Sequence, residues 1–180
     1  LKFHAIKVQK YAEGKTAVAA AAEAPRDWKV LLELPSKERL VELQAAANEW
    51  HPGRWQLQGD LGKGGSGIVV YATDKVLGGE GAGAALKFSC TEPRLRTRSG
   101  KLLQEREAAV MKRVAHPHVC NLHDHSLLGQ GALFGMCMEI LEGGTLDQLL
   151  RREPESRMRE FEVAKMASHV LQALEHMHAK

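Results

Sequence analysis

The chain has 180 residues, of which 44% are apolar and 26% charged, close to the globular norm of roughly 45–50% and about 25%. That balance excludes a disordered tail, and the longest apolar run, the six residues Ala17 to Ala22, falls far short of the about 20 that a membrane-spanning helix needs. A formal net charge of +3 is too mild to imply a nucleic-acid partner, because most basic residues are interleaved with acidic ones.

Residues 1–34 show no steady period and include the alanine tract, so they read as a mobile or weakly helical lead-in. The chain opens on Leu1 rather than methionine, which suggests processing or a piece of something longer and leaves any N-terminal address unreadable. From Pro35-Ser36 the pattern sharpens. Leu40, Leu43, Ala47 and Trp50 recur at helical spacing, Ser36 is available as an N-cap, and His51-Pro52-Gly53 stops the helix. Residues 1–54 thus form an N-terminal extension with an amphipathic helix near 36–50.

At Trp55 the period changes. Trp55 and Leu57, a glycine-rich bend, and then the β-branched and aromatic run Ile68-Val69-Val70-Tyr71 read as a β-hairpin. Gly78-Gly79-Glu80-Gly81 marks a further turn, and Ala84 to Phe88 a third strand. The basic run Arg94, Arg96, Arg98 and Lys101 reads as a solvated loop. Between Lys101 and Val114 a helix is expected whose apolar face holds Leu103, Val110 and Val114, with Glu107 on that same face. A carboxylate there loses several kcal/mol of solvation unless it is paired, so Glu107 demands a cation. His116-Pro117 ends this helix. Val119 to Leu122 and Leu133 to Leu141 follow as strands, and Glu142-Gly143-Gly144 breaks the second. Thr145 can cap a short helix, and Val163, Ala167, Val170, Leu174 and Met177 mark one face of a longer one.

Gly62-Lys63-Gly64-Gly65-Ser66-Gly67 has the GxGxxG spacing that brings backbone N–H groups against phosphates. A dinucleotide-binding fold requires a helix directly after the glycines, where this chain has a strand. A P-loop requires GxxxxGK[ST]; Lys63 is followed by Gly64, and Gly14-Lys15-Thr16 has Gln9 where the first glycine belongs. The remaining use is a glycine hairpin laid over a triphosphate, with a lysine on a following strand.

At this point the sequence resembles the N-terminal lobe of eukaryotic protein kinases. Gly62, Gly64, Gly67 and Val69 match GxGxxGxV; Ala85-Leu86-Lys87 matches the end of the family's VAIK strand. Glu107, ten residues before Pro117, stands where the family has its helix-C glutamate, and Met138-Glu139-Ile140-Leu141 resembles its hinge. The resemblance covers about residues 55–180. It implies an α+β fold: an antiparallel sheet with helix C over 55–138, a hinge at 139–144, and the first helices of the C-lobe over 145–180. It also implies ATP as ligand, with Mg2+, and a protein substrate. The residues it places at ATP are Leu61, Gly62, Lys63, Gly64, Gly65, Ser66, Gly67, Ile68, Val69, Ala85, Lys87, Glu107, Met138, Glu139 and Leu141. Lys87, which in the family contacts the α- and β-phosphates, supplies the cation that Glu107 demands. Leu61, Val69, Ala85 and Met138 line the adenine slot, the carbonyl of Glu139 and the N–H of Leu141 meet the adenine edge, and Thr145 reaches a ribose hydroxyl or caps a helix.

Two look-alikes are set aside. His116, His118, His123 and His125 with Asp124 are rich in metal-ligand types, but His116-Pro117 resembles the family's loop after helix C, so the histidines read as structural or exposed. Leu133-Phe134-Gly135 differs from the magnesium-binding DFG at the residue that must ligate, and it precedes the hinge. No H-R-D and no D-F-G occurs in the 180 residues, so no catalytic base and no metal ligand is assigned. The expectation is part of an active protein kinase, serine/threonine-specific by base rate and inactive as this chain alone; the alternative is a pseudokinase acting as a nucleotide-binding scaffold. Cys90, Cys120 and Cys137, odd in number and without a CxxC pair, argue against a zinc site or a disulfide framework and suggest a cytoplasmic setting.

Overall fold

The computed structural model describes residues 28–76, 82–91, 102–152 and 157–180. They form two compact units, one from the described residues up to Arg113 with 121–140, the other from 114–120 with 141–180. The expected turn at 78–81 and the basic run at 94–101 lie outside the described residues.

In the first unit the chain runs α1 (Trp28–Glu33), α2 (Ser36–Trp50), β1 (Trp55–Gly64), β2 (Gly67–Asp74), β3 (Ala82–Cys90), α3 (Leu103–Arg113), β4 (Leu122–Leu128), a short 3-10 turn and β5 (Leu133–Glu139). The strands form one antiparallel five-stranded sheet in the order β1-β2-β3-β5-β4. The lead-in is therefore helical at 28–33. The strand expected from Val119 starts only at Leu122, because His116 to Asn121 turn the chain after α3.

Strand alternation gives the sheet two apolar faces. Ile68, Val70 and Ala72 of β2 stand in register with Phe88, Leu86 and Ala84 of β3, and all six are buried together with Leu133 and Cys137 of β5. This outer face is covered by α1 and α2 through Leu31, Leu43, Ala46 and Ala47, the last three at the i, i+3, i+4 spacing of one helical face. Burying each large apolar side chain of this layer contributes about 1.5–3 kcal/mol. Helix α2 matches the helix expected near 36–50, but Ser36 does not cap it; its hydroxyl donates instead to Asp60 of β1 at 2.7 Å. Trp50, at the end of α2, lies on Gly135, where an added Cβ would come within 2.9 Å of the indole. It also packs on Trp55, ring centroids 4.6 Å apart. Burial pushes the Cys137 thiol in this layer up to about 11.

The inner face carries Phe134, Met136 and Met138 of β5, on which α3 packs through Ala108 and Met111. The side chain of Gln104 donates to the carbonyl of Cys90 at 3.0 Å, fixing the start of α3 to the end of β3.

In the second unit α4 (Leu146–Arg152) opens with a reciprocal cap: the Gln148 N–H donates to the Thr145 hydroxyl at 3.2 Å and the Thr145 N–H to the Gln148 side chain at 3.0 Å. Helix α5 (Glu160–His178) packs against residues 114–120, with the imidazoles of His118 and His169 stacked 3.9 Å apart and those of His116 and His176 5.1 Å apart. Much of its apolar stripe, including Val163, Val170 and Leu174, is exposed. No helix among the described residues is long and apolar enough to cross a membrane.

Candidate functional site

The glycine segment forms the tip of the β1–β2 hairpin, with Lys63 opposite Ile68 and Gly64 opposite Gly67. Gly67 has φ +131°, and a Cβ there would stand 2.2 Å from the carbonyl oxygen of Phe88, so both backbone shape and space require glycine. The Ser89 hydroxyl donates to the carbonyl of Ser66, tying the hairpin tip to β3. Gly62, Lys63, Gly64, Gly65 and Ser66 are exposed, as is Leu61.

Register places the other expected residues in rows on the inner face. Val69, Lys87 and Met136 are neighbours across β2, β3 and β5, and Tyr71, Ala85 and Met138 form the next row. The Lys87 ammonium donates to Glu107 Oε1 of α3 at 2.8 Å. The lysine side chain is only 11% exposed and the glutamate 42%. The carboxylate on α3 gives this largely covered side chain a counter-charge at its solvent-facing end.

Glu107 reaches this position by a different helical face from the one expected. Leu103 and Val110, placed in the buried stripe by their spacing, are 45% and 49% exposed, whereas Gln104 and Ala108 face the sheet. The sheet-facing stripe is shifted by about one residue because an alanine and a methionine fit close to Phe134 and Met136, while Glu107 lies at its edge. Val114 is buried.

Three other expected residues need correction or placement. Ile68 does not join the row: alternation sends its side chain to the outer face, fully buried against the α2 side. The carboxylate of Glu139 accepts from the Asn121 amide at 3.1 Å, and its N–H donates to the Asn121 carbonyl at 2.9 Å. Leu141 belongs to the second unit and is exposed. Spacing alone missed Met136, Phe134 and Met111, which only strand pairing and helix docking bring to Lys87's face.

The magnesium implied by the family resemblance does not fit the residues present. The carboxylate beside Lys87 is engaged by that ammonium, Glu139 holds Asn121, and no group of three histidine, cysteine, aspartate or glutamate side chains among the described residues is arranged to hold a metal ion. Asp124 receives His51 at 2.8 Å, and His118 stacks face to face on His169, a geometry in which two imidazoles do not converge on one ion.

The sequence pattern of the family described as "Protein kinase domain" matches residues 55–180. This chain belongs to the eukaryotic protein kinase family. Among curated protein kinases it is similar to CBL-interacting protein kinase 4 of Oryza sativa subsp. japonica, at 31% identity over 128 residues, 71% of this chain and 27% of that protein. It is similar also to CBL-interacting serine/threonine-protein kinase 1 of Arabidopsis thaliana, at 28% identity over 143 residues, 79% of this chain and 30% of that protein. The chain thus spans less than a third of the length of these kinases. The five-stranded sheet with α3 agrees with a kinase N-lobe, and the kinase match starts at Trp55, the first residue of β1, leaving α1 and α2 outside it.

Proposed function

We propose that the chain supplies the ATP-binding lobe of a protein kinase that phosphorylates serine or threonine in protein substrates. The observation that carries this reading is the 2.8 Å pair of Lys87 and Glu107 on the inner face, in register with Val69 beside the glycine hairpin. An ammonium has three donors; one is held by Glu107, which fixes its direction and leaves the others for polyphosphate oxygens. The exposed N–H groups of the hairpin tip are donors for the same anion. Val69, Ala85 and Met138 offer a purine a flat apolar floor, with the carbonyl of Glu139 as a partner for its edge. Thr145 caps α4 in this reading. Serine/threonine specificity draws support from the printed name of the Arabidopsis relative.

Phosphoryl transfer also needs a base for the substrate hydroxyl and ligands for magnesium, and the 180 residues contain neither H-R-D nor D-F-G. This chain by itself is therefore expected to bind nucleotide and transfer nothing. Calorimetric titration with an ATP analogue should give Lys87→Met an affinity about 10- to 100-fold below wild type, the worth of a charged hydrogen bond or two, while methionine preserves the packing of the stem. Equal affinities in the two proteins would overturn the site. Phosphate incorporation by the purified chain, free of contaminating kinase, would refute its inactivity.

A further inference from the structure

The extension at 28–50 touches the glycine hairpin at two points that bracket Leu61-Gly62. On one side is Asp60. Its Oδ2 accepts both the guanidinium Nη2 of Arg39 and the hydroxyl of Ser36, the latter at 2.7 Å. Arg39 is 7% exposed, and its Nη1 donates to the carbonyls of Leu32 and Leu34, so one buried guanidinium ties the α1–α2 turn to β1. On the other side Lys63, inside the glycine segment, pairs with Glu33 of α1 at 2.9 Å.

The strand ladder is weakest where these contacts fall. Pairing of β1 with β2 slips between Leu57 and Gly59 and again between Asp60 and Gly62, so the hairpin arm is not rigidly continued from the start of β1. β1 is also an edge strand, whose outer N–H and C=O groups lack a strand partner. Helix α2 answers this as well: the Gln44 side chain accepts from the Leu57 N–H at 2.9 Å and donates to the Trp55 carbonyl at 2.9 Å. Beyond that point Arg39, Ser36 and Glu33 hold the arm from the helix side, while the Ser89 hydroxyl holds its tip to β3.

We propose that α1 and α2 are the positioning element of the glycine hairpin, with Arg39 as its positioning residue acting through Asp60 and Glu33 as a second, exposed tether acting through Lys63. The consequence for ligand binding rests on the reading of the hairpin as a nucleotide flap; the positioning itself does not. The arm is thereby set by a part of the chain that lies outside the kinase match, so whatever displaces α1 or α2 changes the flap without touching Lys87.

The test is hydrogen exchange on the full chain, comparing wild type with Asp60→Asn and with Ser36→Ala/Glu33→Gln, the second variant altering exposed positions only. Amides of residues 61–69 should exchange about tenfold faster in Asp60→Asn and by a smaller factor in the double variant, while those of α3, β4 and β5 keep their wild-type rates. A uniform acceleration across the unit would mean that Arg39 and Asp60 are general structural supports, and unchanged hairpin rates in both variants would remove the clamp; either result overturns the proposal. Exchanging the tether, Glu33→Lys with Lys63→Glu, should restore the protection that Glu33→Gln loses, and failure to do so removes Glu33 from the device. ATP-analogue affinity measured on the same proteins separates the two readings. Faster hairpin exchange in a chain that binds no nucleotide upholds the clamp and rejects the flap.

Discussion

At Asp74 a carboxylate only 1% exposed takes the guanidinium of Arg54 at 2.9 Å, the indole N–H of Trp55 at 3.2 Å and the N–H of Val76 at 2.9 Å. The hydrogen bond that Arg54 donates to Asp74 raises the Arg54 guanidinium above its ordinary value despite partial burial. The same logic governs His51 and Asp124, which join the end of α2 to β4. Burial pushes the Asp124 carboxyl up, but the hydrogen bonds from His51 and the His125 N–H, with the nearby Arg54, outweigh it and hold the group below its ordinary 3.8. A carboxyl depressed in the fold contributes stability that is present above its unfolded value and lost as pH falls through the folded one. Stability should therefore drop as pH falls below about 4, and urea denaturation across pH 2–6 should show Asp124→Asn with a flatter acid limb. An acid limb identical to wild type would show that this pair does not anchor α2.

Among the elements, α2 is the one whose docking depends on a missing side chain. Trp50 rests on Gly135, and an added Cβ would also come within 3.0 Å of Leu128 Cδ1. Both neighbours belong to packed rings and branches, so neither can yield cheaply. Gly135→Val should destabilise the first unit by about 1–3 kcal/mol through overpacking, read as a shift in the urea midpoint with unchanged slope. An unaltered midpoint would mean that Trp50 is not held against β5. Helix α5 gives a contrasting case. Burial lowers the His169 imidazole from 6.5, and neighbouring charge, that of Lys165 included, lowers it further. A base depressed in the fold favours the neutral form, so the His169 contribution to stability should be present above pH 6.5 and fade as pH falls through the folded value, which an NMR titration of the His169 ring would read.

On the scale of the whole chain, the folding boundary and the family boundary differ. The kinase match begins at Trp55, but the outer face of the sheet is closed by Leu31, Leu43, Ala46 and Ala47, all upstream of it. Cutting at residue 55 would bare Ile68, Val70, Leu86, Phe88 and Leu133 together, a contiguous apolar surface of the kind that aggregates. A chain starting at residue 28 should unfold cooperatively like the full one, whereas a chain starting at residue 55 should bind a hydrophobic dye and sediment as aggregates. Equal melting and equal dye binding by the two pieces would show that the extension is not part of the core.

Much of this was legible in the order of residues. Period and punctuation mark α2, the glycine hairpin, β3, β5 and α5, because alternation and helical spacing are local properties that burial of one face imposes on any such segment. The pair of Lys87 and Glu107 was legible only in part: a carboxylate expected beside apolar residues requires a cation, but it was the resemblance to protein kinases that named Lys87 as that cation. Which side chains face which layer was not legible. Ile68 belongs to the outer core, Ser36 serves Asp60 rather than its own helix, and α3 turns Gln104 and Ala108 to the sheet instead of Leu103 and Val110. Those choices depend on what stands opposite, twenty or more residues away in sequence, and on how closely two surfaces can approach. The tertiary structure alone decided that the extension covers the sheet and reaches the glycine hairpin, since the Arg39 to Asp60 contact has no local pattern and exists only after α2 has docked.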